Sequence, residues 1–324
     1  MRIAFFVAVA TLAGFAGADP TALMRALHFT DAEIGQARAG QPVVRLLESS
    51  QRAELGIAGA IRLNGDRARL AGWIRQIDHF RGAAELGVAR VLPVPPTADG
   101  FRDLQLDADE IAELTRCTQA DCSLRISSDV LSRVHQALAG NSAEGPVQAT
   151  AAFREMLARD AAAYWSRGEP ALQVPPDASF KALLSRSSVF QSVAPDFASF
   201  LQHFPAPPPA NVDQCLYWSA TPVDTKRVIA LHHLAIHRGN AQTTTIVDRT
   251  LYASRYFETG ALAITLQDDP NGGGYYLVAG SRVVSPELTS TTAVVLRRRI
   301  ERAAQDGLRT YLEWMRDSLA LTPK

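Results

Sequence analysis

Three of the chain's seven histidines fall within one stretch, VIALHHLAIHR, residues 228–238. On a helix, His233 and His237 would stack on one face, the spacing zinc proteases use to hold a metal. The flanks favour a strand: a charged pair precedes the stretch, a Gly-Asn turn follows it, and the surrounding block is β-rich. Side chains then alternate, with Val228, Ala230, His232, Leu234 and Ile236 on one face. Ile229, Leu231, His233, Ala235 and His237 take the other. On a strand His233 and His237 stand roughly 13 Å apart, too far to share one zinc. HLAIH also lacks the glutamate of the protease motif, so no metal site is expected. What remains is a histidine in an apolar row on each face. Such a residue is either a hydrogen-bonded core group or a polar anchor in a ligand cavity.

The next strand-like run sets Thr250, Tyr252, Ser254, Tyr256 and Glu258 on one face, and Leu251, Ala253, Arg255 and Phe257 on the other. Rings with polar tips suit a ligand cavity; they also suit a solvated face with cross-strand aromatic pairs. The candidate ligand-binding residues are therefore His233, Tyr252, Ser254 and Tyr256, joined by Trp218 and Tyr276 from neighbouring strands. Together they are expected to form the concave side of a sheet. No nucleophile elbow, Walker loop, G-x-G-x-x-G or H-E-x-x-H occurs. Asp268-Asp269-Pro270-Asn271-Gly272 has a proline where a calcium ligand should sit, and reads as a hairpin turn. No catalytic residue is assigned and no cofactor is implied.

The elements that must position these residues have clear textures. PVVRLLES (42–49) is a strand. GIAGAIRLNGDRARLAGWIRQIDHF (56–80) changes from a strand period to a helical one at Asn64-Gly65-Asp66. VARVLPVPP (88–96) is extended. Residues 103–205 then read as a helical insertion, with a capping box at Asp107 and Glu110 and a long helix near Val147–Ser166. After the stiff connector FPAPPPANVD come five strand-like runs separated by short turns, hence antiparallel neighbours. A final helix, about Thr291 to Leu319, carries the apolar stripe Leu296, Ile300, Ala303, Ala304, Leu308, Tyr311, Leu312, Met315 and Leu319.

Composition narrows the function classes. Thirty-three basic and 33 acidic residues balance in a chain of 324, with no basic tract, so nucleic acid is a poor partner. MRIAFFVAVATLAGFAGADP reads as a signal peptide, residues 1–18, cleaved between Ala18 and Asp19. No later segment is long and apolar enough to span a membrane. The mature protein, 19–324, is expected in the periplasm or medium. There Cys117 and Cys122 can form a small local disulfide, with Cys215 left as a buried thiol.

Two stretches, IAGAIRLNGDRARLAGWIRQIDHF and the C-terminal run of strands closed by a helix entered through SPELTST, resemble the START-like (helix-grip) superfamily. The resemblance implies an α+β domain, with an antiparallel curved sheet gripped by the long last helix and an apolar cavity between them. The helical insertion departs from that order. CLYWS, VIALHHLAIH, LYASRYF and GYYLVAGSR are similar to an uncharacterised family of exported bacterial proteins, which supports export and supplies no activity. The expected function is binding of a hydrophobic small molecule or lipid. Two alternatives stay open: a cavity enzyme using His233 with Tyr252 or Tyr256, and a protein-interaction module acting through the insertion. Oligomeric state is not legible.

Overall fold

The structure, a computed structural model, describes residues 19–140, 143–172, 174–186, 194–289 and 293–321. Residues 1–18, which in sequence read as a signal peptide, lie outside them. The fold is α+β, a curved antiparallel sheet with helices on both faces.

Two short helices come first among the described residues, α1 (Pro20–Ala26) and α2 (Asp31–Arg38). A reciprocal capping box between Thr30 and Glu33 starts α2. Strand β1 (Val43–Leu47) and the longer β2 (Glu54–Asn64) follow, then α3 (Arg67–Arg75) and α4 (Ile77–Ala83), and β3 (Val88–Val91). The insertion supplies α5 (Ala108–Arg116), α6 (Ser128–Leu138), α7 (Gly145–Arg167), α8 (Phe180–Ser185) and α9 (Pro195–Gln202). Then come β4 (Val212–Val223), β5 (Lys226–Asn240), β6 (Thr243–Ala253), β7 (Thr259–Asp268), β8 (Gly274–Val284) and the last helix, α10 (Ala293–Leu321). The histidine stretch is therefore a strand, and Cys117 and Cys122 are joined in a disulfide.

The strand order is β1-β2-β8-β7-β6-β5-β4-β3, and every neighbouring pair is antiparallel. Period-2 alternation divides each strand between two cores. On one face Leu234, Ile236, Ile246, Ile264, Leu266 and Leu277 pack with α3, α4 and α10, including Leu70, Ile74, Phe80, Leu312 and Met315. Gly59 of β2 lets α10 approach: a Cβ there would lie 2.9 Å from Leu312 Cδ1. On the opposite face Leu216, Trp218, Ile229, Leu231, Ala235 and Val247 pack with the insertion, centred on Phe153, Met156 and Leu157 of α7. Beside the insertion, α1 and α2 cover the β1–β2–β8 end of that same face.

The insertion thus covers the sheet face that α10 leaves free. Its apolar side chains are directed at the sheet; among its described residues, Val147 is the one large hydrophobic left exposed.

Candidate functional site

The alternation expected for residues 228–238 holds, but the face carrying His233 is turned to the insertion, not to α10. His233 is 1 % exposed. Its Nε2 lies 2.9 Å from Gln214 Oε1, which can only accept, so Nε2 carries the proton. Nδ1 therefore accepts from the Tyr164 hydroxyl of α7, 2.8 Å away. Burial, aided by the Arg249 charge nearby, drives the imidazole down to about 3. His233 is a neutral core group with both nitrogens occupied. His237 lies flat against Phe197 of α9.

The other sequence candidates are dispersed. Trp218 is buried, with its indole N–H donating to Gly100 O at 3.0 Å. Ser254, fully buried, accepts from the Ile229 amide at 2.9 Å and ties the end of β6 to β5. Tyr256 sits in the left-handed region at φ 67° and packs beside Val228, Ala230 and Phe257. Tyr276 is buried under α1 and α2. Tyr252 lines a cavity, the one beneath the insertion.

A β-bulge explains where Tyr252 points. Leu231 pairs with Tyr252 while the next residue, His232, pairs with Thr250. Leu251 is thus an extra residue, and it shifts Tyr252 off the face of Asp248 and Thr250 onto that of Leu231. The expectation that Thr250, Tyr252, Ser254 and Tyr256 share one face fails at this bulge. The expected concave side under α10 is formed by other residues.

Those residues surround a cavity of about 340 Å³ between the sheet, α3–α4 and α10. Leu234, Ile246, Leu262 and Ile264 form its floor; Ile74, Ile77 and Phe80 one wall; Leu308 and Tyr311 the other. Gly307 of α10 stands at its rim, where an added Cβ would meet nothing within 4 Å. Two charged residues, Asp248 and Arg81, break the apolar lining.

Asp248 is held by its strand neighbours. The Tyr217 hydroxyl donates to Oδ2 at 2.5 Å, and His232 Nδ1 lies 3.3 Å from Oδ1. Tyr217 and His232 stack with ring centres 4.4 Å apart, and Ser219 Oγ lies 3.0 Å from His232 Nε2. Burial pushes the Asp248 carboxyl up, but His232, the Tyr217 hydroxyl and Arg81 outweigh it and keep it below the usual carboxylate range. Oδ1 has no aligned hydrogen-bond donor among the described residues.

Ser219, His232 and Asp248 follow one another in the order of a hydrolase relay. Ser219, however, is 1 % exposed and does not line the cavity, so a substrate carbonyl cannot reach it. As built, the chain of contacts holds an ionised carboxylate at the wall of an apolar cavity.

Sequence reasoning missed Asp248, Tyr217, Arg81 and Gly307. A signal for Asp248 existed: extending the alternation of β6 back from Thr250 puts an aspartate in the row of Ile246. Cys215 is a buried thiol whose ionisation burial pushes up to about 11, which leaves it unreactive. Among the described residues no group of three His, Cys, Asp or Glu is placed to hold a metal ion, and no helix is long and apolar enough to cross a membrane.

Fold and site together define a helix-gripped α+β protein with an apolar cavity under its last helix. Neither the known family models nor the curated proteins contain a match to the chain, so its chemistry has to be read from its own residues.

Proposed function

We propose that this protein is exported and binds a hydrophobic small molecule or lipid in the cavity between the sheet and α10. The observation that carries the reading is an apolar cavity with a single ionised carboxylate, Asp248, in its lining. Such a site holds an apolar body by burial and orients it through one polar contact. To Asp248 the ligand presents a hydrogen-bond donor, a hydroxyl or an amine, because an ionised carboxylate only accepts. The element order also supports kinship with the START-like superfamily: a strand, two helices, antiparallel strands and a closing helix. The Cys117–Cys122 disulfide supports an oxidising compartment outside the cytoplasm.

The test is uptake of N-phenyl-1-naphthylamine, a neutral apolar fluorophore with one N–H donor. Two variants fill the cavity from opposite sides, Gly307→Phe from α10 and Leu262→Trp from the sheet. Gly307→Phe also replaces a mid-helix glycine, which favours the helix by a few tenths of a kcal/mol. Lost ligand then cannot be ascribed to lost fold. The expected result is bright, saturable fluorescence with the unmodified protein and none with either variant, at an unchanged or higher Tm. No uptake by the unmodified protein, or undiminished uptake by both variants, would overturn the proposal.

A further inference from the structure

A second cavity, of about 500 Å³, lies on the opposite face of the sheet, between β5–β6, α7 and the segment that leads from the disulfide into α6. It is independent of the cavity under α10. Its apolar surface comes from Met156, Leu172, Leu231 and Leu251. Its charged groups are unevenly satisfied. At the mouth, Arg159 lies 3.3 Å from Asp129 and 3.9 Å from Asp160. Arg125 is different: its guanidinium makes no hydrogen bond and no ion pair within 4.0 Å with any described residue. Glu258, in the same lining, acts on it only at longer range, and Glu258 itself has no ion-pair partner among the described residues.

An unpaired, half-buried arginine is costly, and this one is held in place. The disulfide closes the loop just before it. The Arg125 amide donates to Ser254 O at 2.7 Å, and the Tyr252 hydroxyl donates to Arg125 O at 2.5 Å. The backbone is thus pinned to β6 on both sides while the side chain is left for the cavity. Burial pushes the guanidinium's pKa down, as it does for a cation without a counter-ion. Beside it α6 is entered through Ser127, whose side chain makes no capping bond to the helix, and the Asp129 carboxylate accepts from its own first-turn amide. The unpaired arginine favours a carboxylate.

A simple anion does not complete the site, because Asp129, Asp160 and Glu258 line the same space. Arg159 answers Asp129 and reaches Asp160 only at 3.9 Å, while Glu258 has no ion-pair partner among the described residues, so the acidic side of the cavity is left for a cation. A simple cation fails equally, because it would face Arg125. A molecule with both charges and an apolar body satisfies every group, and the volume is that of a drug-sized ligand rather than an ion.

We propose that this cavity binds a short zwitterionic peptide with apolar side chains, its carboxylate on Arg125, its ammonium toward Glu258 and Asp160, and its side chains against Met156, Leu231 and Leu251. Sequence reasoning had placed Tyr252 in a ligand site; here it lines the wall and anchors the arginine.

Calorimetric titration of the full mature chain with the free dipeptides Leu-Phe, Phe-Leu, Val-Leu and Met-Phe tests this, beside their C-terminal amides and N-acetyl forms. At least one free dipeptide is expected to bind. Its amide and its acetyl form should each bind about tenfold more weakly or worse, the equivalent of one lost charge-assisted contact. Arg125→Gln, which keeps both backbone bonds, should reproduce the loss seen on amidation and show no further loss with the amide. Gly307→Phe should leave dipeptide binding unchanged. The proposal is overturned if no free dipeptide binds, if the amides bind as well as the acids, if the acetyl forms bind as well as the amines, or if Arg125→Gln has no effect while its Tm is retained.

Discussion

Directly under α10 the sheet meets a stripe of apolar side chains, and Asp248 is held there by the Tyr217 hydroxyl beside His232; α3, on the same face, is tied to the sheet by Arg75 with Asp213 and Arg67 with Asp268. Under the insertion the apolar core is bordered by charged pairs that cross from sheet to helices. Arg249 of β6 reaches Glu169 at 2.7 Å, Arg255 reaches Glu113 of α5 at 3.0 Å, and Arg227 of β5 pairs with Glu110 of α5. At the far end Glu54 of β2, with no exposure, pairs with Arg186 beyond α8. The difference follows from what each cover must specify. A single long helix laid across a sheet is positioned well enough by apolar shape, which is non-directional and tolerates a gap. The five described helices of the insertion, joined by irregular connections, have many ways to lie on an apolar surface, and directional pairs between distant residues select one.

The strongest break in this comparison is on the α10 side. Leu312 is fully buried and packs into the space left by Gly59. Leu312→Ala should cost about 2–5 kcal/mol, the range for a buried leucine whose site cannot collapse. Chemical denaturation should show this loss unchanged between low and high salt, because no charge is involved.

A smaller effect is expected from Arg249→Leu on the other face. Arg249 is 2 % exposed, and its guanidinium lies over the rings of Phe180 and Tyr164. Its loss orphans Glu169, which keeps some contact with water, so about 3 kcal/mol is expected, the low end for one partner of a buried pair. Glu169 Oε1 also accepts from the Phe180 amide. Adding Glu169→Gln keeps that acceptor and removes the orphaned charge, so the double variant should recover much of the loss. If it recovers none, the pair does not fasten the insertion as described.

Much of the architecture was legible in local patterns. The alternation of 228–238, the capping box at Asp107 and Glu110, the spacing of Cys117 and Cys122 and the stripe of α10 all depend on residues a few positions apart. What was not legible depends on distance or on a single inserted residue. Nothing in VIALHHLAIHR distinguishes a face covered by α10 from one covered by the insertion, because both are apolar. Nothing in TLYASRY marks Leu251 as a bulge, yet that residue moves Tyr252 to the other side of the sheet. The hydrophobic pattern identifies buried positions; which partner buries them is set by topology.

The smallest effect concerns Glu113, and it tests whether the charged border of the insertion face responds to acid. Glu113 Oε1 accepts from Lys226 Nζ at 2.6 Å, and Oε2 accepts from Ser123 at 3.0 Å and lies 3.0 Å from Arg255. Burial pushes this carboxyl up, but the hydrogen bonds from Lys226, Arg255 and Ser123 more than offset it and hold the group at about 2. A carboxyl whose value is lower folded than unfolded binds fewer protons in the native state. It therefore stabilises the fold above its ordinary value near 4.5 and loses that contribution as pH falls toward about 2. Glu113→Gln removes the titration. At neutral pH it should cost about 1 kcal/mol, since the Lys226 pairing is partly exposed and screened and the amide oxygen of Gln still accepts from Arg255. Between pH 4.5 and 2 the unmodified protein should lose stability faster than the variant, so that the two curves converge. Leu312 is packed among apolar side chains and makes no ion pair, so Leu312→Ala should shift the acid curve without changing its slope. Parallel curves for the unmodified protein and Glu113→Gln would show that this carboxylate does not contribute to fastening α5.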